Sequence, residues 1–225
     1  MRADAGWTVE DFMSRHFYSL GALVGGALLV AACGQSYDEL EREFVNIADR
    51  VYHLDPTPVD AMPNAGGARY QGVADVDFPV AEVEFGPGET EFAAGFGRAS
   101  SRMTLDANFG RGTVTGVMSD WAKDRGNRID SKMDGTLRVF VGEIDANTMS
   151  AEARGRLDDG QRSGRVDLDL GGVFVGDGAR GVIGGVGGSV RYREIERETD
   201  ADGVRRTIER EWDGPAGGDF VLERR

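Results

Sequence analysis

The one thiol in the chain, Cys33, is the side chain whose neighbours best suit it for chemistry. It follows an uncharged apolar run, residues 17–32 (FYSLGALVGGALLVAA), that closes on small residues. Val30-Ala31-Ala32-Cys33 therefore sets a lone thiol directly after small side chains. Other constellations fail on composition or spacing. His53 is the sole histidine after the apolar run, so no serine has an evident base, and at the end of a helix its basic ring suits the helix dipole. Asp158-Asp159, and Asp167 with Asp169, have the type that acid–base chemistry needs, but in so acidic a chain they are expected to be solvated. Gly176-Asp177-Gly178-Ala179-Arg180-Gly181 matches GxGxxG after the apolar VFV. A dinucleotide loop must open a helix whose amides hold the pyrophosphate, and the following GVIGGVGGSV is a very poor helix former. Asp200-Ala201-Asp202-Gly203 has the opening of an EF-hand loop without its later ligands, and no cluster suits zinc. No catalytic residue, metal or cofactor is assigned, and the chain is expected to be non-enzymatic.

The apolar run is shorter than the ~20 residues a spanning helix needs and has the length of a signal-peptide core. Val30-Ala31-Ala32-Cys33 resembles the lipobox of bacterial lipoproteins. That resemblance implies cleavage before Cys33, a diacylglyceryl group on its thiol and an acylated new amino terminus, so that residues 1–32 are a signal peptide. The alternative is a buried free cysteine in an N-terminal helix. Residues 1–12 carry three acids and one arginine, the wrong balance for a signal peptide's first segment, whereas a start at Met13 leaves the basic MSRHFYS. Inner-membrane lipoproteins typically carry Asp next to the cysteine. Gly34 stands there, which implies the outer membrane, held by acyl chains contributing ~0.8 kcal/mol per buried methylene.

The 225 residues suffice for one ordinary domain, and 40% apolar with 29% charged residues is the composition of a folded body. A formal charge of −13 disfavours nucleic acid, where binding rests on neutralising phosphates. Thirty-four glycines, concentrated in the second half between short runs of Val, Leu, Ile and Phe, argue for short strands and tight turns.

Residues 36–55 read as an amphipathic helix, with Tyr37, Leu40, Phe44, Ile47, Val51 and Leu54 on one face, Ser36 and Glu39 as a capping box, and Asp55-Pro56 as the stop. The helix either binds a partner or, as expected here, packs across a sheet or plugs one end of a barrel. Residues 56–67 (PTPVDAMPNAGG) form a linker by composition. The spacing predicts strands over 68–77, 101–109, 112–119, 134–142, 150–157, 164–175 and 181–191. Met103, Leu105, Ala107 and Phe109 alternate with polar residues, as do Leu137, Val139 and Val141. The tail reads as a charged hairpin turning at Asp202-Gly203 with Arg and Glu opposed, and residues 218–223 (GDFVLE) are placed to close the sheet. Without βαβ spacing, the expectation is a mainly β antiparallel barrel or sandwich.

Two stretches sharpen that expectation. DANFGRGTVTGVM (106–118) and GGVFVGDGARGVIGGV (171–186) resemble the lipoprotein barrel of transferrin-binding protein B and its relatives. Phe109, Gly110, Gly112, Thr113, Val114 and Gly116 fit one family motif, and Gly172, Phe174, Gly176 and Ala179 fit another. Asp177 stands where a Pro is frequent and Val186 where an aromatic is common. Gly110 and Gly112 would permit a tight turn, while Gly116, Gly172 and Gly176 would relieve crowding in a narrow barrel. The resemblance implies a small, eight-stranded antiparallel barrel over 68–225, preceded by the lipidated residue, helix and linker over 33–67. It also implies an outer-membrane or cell-surface lipoprotein held by its Cys33 lipid, with a protein or haem-carrying ligand and no nucleic acid. It transfers no ligand-binding residue. The rival readings are a structural envelope lipoprotein without a diffusible ligand and a hydrolase using paired carboxylates.

Overall fold

The computed structural model describes residues 35–78, 81–84, 90–93, 95–124, 132–199 and 205–225. The signal segment, the lipobox Val30-Ala31-Ala32, Cys33 and the Asp202-Gly203 turn lie outside them.

Helix α1 spans Tyr37–Val51. The Ser36 hydroxyl accepts the Glu39 amide at 3.4 Å, and the Glu39 carboxylate accepts the Ser36 amide at 3.0 Å, so the capping box is complete. The apolar face lies along the outside of a barrel: Tyr37 and Leu40 meet Val73 and Ala122, and Ile47, Ala48 and Val51 meet Val175 and Val221. The helix therefore packs across a sheet and does not plug an end. It stops at Val51 instead of reaching Asp55. The Tyr52 amide closes the last turn on the Ala48 carbonyl, and Gly176 then takes the Asp55 carbonyl at 2.9 Å, drawing Pro56 into a bridge with Val175. Leu54 still joins the apolar cluster, and His53 sits exposed in the turn.

Eight strands form a closed antiparallel barrel in the order β1-β10-β9-β8-β7-β6-β5-β4. They are β1 (Gly67–Phe78), β4 (Gly97–Asn108), β5 (Thr113–Lys123), β6 (Asp134–Asp145), β7 (Thr148–Asp158), β8 (Arg162–Val175), β9 (Gly181–Thr199) and β10 (Arg205–Arg224). A separate hairpin pairs β2 (Ala81–Glu84) with β3 (Thr90–Ala93). It was not expected from sequence, because four-residue strands are too short to display a period. Alternate residues of the long strands face inward and fill the interior with Tyr70, Phe78, Met103, Leu105, Trp121, Leu137, Phe174, Tyr192 and Phe220. Residues 218–223 close the cylinder against β1, with Phe220 opposite Ala74 and Leu222 opposite Gly72. The tail is one continuous strand: β10 gains its second neighbour only from Gly217, so Pro215 sits where the strand is paired on one side.

One alternation fails. In β6 an extra residue is inserted between Val139 and Glu143 relative to both neighbouring strands. Leu137 and Val139 point inward as expected, but Val141 is 73% exposed and Gly142 takes the interior position. A bulge shifts the period by one, which strand periodicity alone does not reveal.

Candidate functional site

The two ends of the barrel differ. At one end the connections are the turns at 109–112, 146–147 and 176–180. The segment read as a linker crosses this end as a strap. The Thr57 amide donates to Phe174 O at 2.9 Å, its hydroxyl to Gly176 O at 2.7 Å, and Asn147 Nδ2 donates to Thr57 O at 2.9 Å. Met62 packs on the core, and the Tyr70 hydroxyl donates to Ala179 O at 2.7 Å. This turn end is closed.

The opposite end carries the long β1–β4 connection with its hairpin, the β5–β6 connection and the extension of β9 and β10. Pairing of β10 with β1 reaches only Gly217, whereas its pairing with β9 continues to Arg205 opposite Thr199. Loops held by a rigid scaffold are where binding groups concentrate, so this loop end is the candidate site.

Aromatic side chains pack beneath it. Phe78 meets Phe96 edge-on at 5.6 Å, Phe96 meets Tyr192 at 4.9 Å, and Tyr192 meets Trp212 at 5.4 Å between ring centroids. The Phe96 amide donates to the Tyr192 hydroxyl at 3.1 Å, and burial pushes that hydroxyl's pKa up to about 12, so it stays protonated. The indole N–H groups of Trp121 and Trp212 and the Ser101 hydroxyl are buried and make no hydrogen bond among the described residues.

Beside this cluster Lys123 at the end of β5 pairs with Asp159 in the β7–β8 turn, Nζ to Oδ2 2.8 Å. The Asp159 side chain is fully buried and also accepts the amides of Gln161 and Arg162 at 2.9 and 2.7 Å. Burial alone would raise its pKa. The hydrogen bonds from Lys123 and the two amides outweigh burial and hold the carboxyl below its ordinary range.

The other sequence candidates are dispersed. Asp158 accepts the Gly160 amide at 2.7 Å, while Asp159 is committed to Lys123. Asp167 pairs with Arg154 and Arg165 on the outer wall, and with Glu152 and Asp169 it lines a depression of about 140 Å³ around Arg154. Asp167 thereby joins β8 to β7 through Arg154, and Glu152 pairs with Arg154 within β7. Residues 176–181 turn directly into β9, so no helix N-terminus is available to a dinucleotide. Gly112 (φ +62°) and Gly176 (φ +76°) hold left-handed turn conformations, while Gly110 does not, and a Cβ there would meet Ala65 and Asn108 at an ordinary contact distance of 3.7 Å. Among the described residues there is no group of three metal-ligating side chains. A groove of about 620 Å³ on the outer wall, lined by Thr104, Val117, Arg138, Phe140 and Val141 among others, was not foreseen from sequence, because the β6 bulge creates it.

No protein-family model matches the chain, and no curated protein matches its sequence. Among solved structures it is similar to two mutants of the vaccine antigen transferrin-binding protein B from Haemophilus parasuis Hp5. One carries a single Trp-to-Ala change and the other an additional Tyr-to-Ala change. Sequence identity is 19% in both, over 76% of this chain, with TM-scores of 0.41 and 0.38. The chain spans 29% and 28% of the length of those structures.

Proposed function

We propose that this chain is a lipid-anchored outer-membrane lipoprotein without catalytic activity, whose barrel presents its loop end to a macromolecular ligand such as a protein or a haem- or iron-carrying protein. The observation that carries the reading is the inequality of the ends: one is sealed by short turns and a hydrogen-bonded strap, while the long connections gather at the other. The side chains packed inside the barrel direct the ligand to the loops and not into a lumen. The lipobox at Cys33 supports the anchor. A structural envelope lipoprotein is the second reading, favoured by that same packed interior.

Two treatments of the full-length protein separate them. Protease applied to intact cells is expected to cut within 79–94 or 125–131. Affinity capture is expected to retain a ligand that is lost when 125–131 becomes a Gly-Ser linker and kept when the 109–112 turn is altered. Complete protection, together with capture of resident envelope proteins alone, would support the structural reading instead.

A further inference from the structure

Phe140 and Val141, 46% and 73% exposed, are the large apolar side chains of the barrel that face solvent among the described residues. They are neighbours because the β6 bulge turns both outward, and with Val117 of β5 they line the 620 Å³ groove. The bulge also divides the charges of this wall. On its loop-end side the register sets Arg138 directly opposite Arg154 of β7, a like-charge pair that costs stability unless acids approach. Arg154 is partly compensated by Glu152 and Asp167, and its guanidinium lies 5.8 Å over the Phe140 ring. Arg138 has no ion-pair partner among the described residues. On the turn-end side of the same apolar pair stands Glu143, also exposed and also without one.

We propose that this wall is an isologous interface between two copies of the chain, β6 against β6. The two-fold axis runs across the strands at the level of Phe140 and Val141, so that Arg138 of each copy meets Glu143 of the other. The surface is complementary to itself under that operation: an apolar pair on the axis, an unpaired cation on one side and an unpaired anion on the other. A closed barrel wall has no free edge strand here, so association goes through side chains, and with so few apolar residues at its centre the dimer is weak. An unrelated acidic protein would satisfy Arg138 but leave Glu143 repelled; a second copy satisfies both.

The test uses the full chain. With Cys33→Ser, a Val141→Cys substitution supplies the only thiol. Near the axis two such thiols approach, so mild oxidation is expected to give a disulfide-linked dimer on a non-reducing gel, while Val59→Cys, on an equally open site 62% exposed, does not. Adding Arg138→Glu reverses both ion pairs and is expected to reduce cross-linking about tenfold, equivalent to ~1.4 kcal/mol, and Glu143→Arg on top of it restores the yield. Unchanged far-UV circular dichroism verifies that these exposed substitutions leave the barrel folded. The proposal is overturned if Val141→Cys links no better than Val59→Cys or if the charge swap fails to rescue. It is equally overturned if phosphatidylglycerol vesicles bind the chain through Val141 and abolish the link, which would make a lipid surface the occupant.

Discussion

Replacing Lys123 with methionine is expected to lower the free energy of unfolding by about 3–5 kcal/mol, the scale for breaking a buried ion pair by removing one partner. Methionine keeps the bulk of the lysine stem, so the loss reports removal of the ammonium that donates to the Asp159 carboxylate, whose side chain is wholly inaccessible. Asp159→Asn is expected to cost less. Asparagine still accepts the Gln161 and Arg162 amides, and the Lys123 side chain, 14% exposed, can turn its ammonium toward water. Acidity affects the two proteins unequally. In the wild type the depressed Asp159 pKa contributes stability above the ordinary value of 3.8, and that stability is lost as pH falls through the folded-state value. In Lys123→Met the carboxyl keeps the Gln161 and Arg162 amides but loses the hydrogen bond and the charge of the ammonium that help lower its pKa, so this pH-dependent contribution is smaller. Chemical denaturation at a series of pH values is expected to show the deficit narrowing as pH falls below 3.8. A deficit that does not change with pH would mean that the pair has no energetic role.

Gly116→Ala is expected to be clearly destabilising, whereas Gly187→Ala in the same barrel is expected to be harmless. A Cβ at Gly116 would run into the Thr104 carbonyl and lie 2.8 Å from Leu105 Cδ2, contacts with a neighbouring strand whose backbone cannot retreat without breaking its ladder. Overpacking of this kind costs about 1–3 kcal/mol, occasionally more. At Gly187 a methyl group meets nothing within 4 Å and the backbone is not left-handed, so alanine is expected to be neutral or to stabilise by about 0.4–1 kcal/mol by restricting the unfolded chain. Thermal melts of the two variants side by side provide the check. Equal losses would show that closeness of the strands at Gly116 is not what selects glycine there.

The helix was legible to its cap and its buried stripe, because both are written in residues three and four apart. The charged hairpin was legible too: Arg191 pairs with Asp213 at 2.9 Å and Arg193 with Glu209 at 2.6 Å, as the opposed Arg and acid runs suggest. Closure by residues 218–223 followed from their apolar pattern. What escaped depends on partners distant in the chain. Thr57 lies in a proline-rich stretch that reads as a loose linker, and the hydrogen bonds making it a strap come from Phe174, Gly176 and Asn147. The Lys123–Asp159 pair joins residues brought together only by barrel closure; its one local hint is a lysine in a chain whose other bases, Lys132 apart, are arginine or histidine. The β6 bulge is invisible in LRVFVG, whose alternation looks regular until both neighbouring strands impose their registers. The difference between the two ends likewise emerged from topology, since nothing in the strands' own sequences says that the longest connections fall at one end.

Lipidation at Cys33 is the central expectation of the proposed function. Intact-mass and peptide spectrometry of the protein extracted from membranes is the decisive measurement. The expected result is a mature chain beginning at Cys33 and carrying diacylglyceryl, with Cys33→Ser leaving the membrane fraction. A chain that retains residues N-terminal to Cys33, or that carries a free thiol there while still sedimenting with membranes, would contradict it.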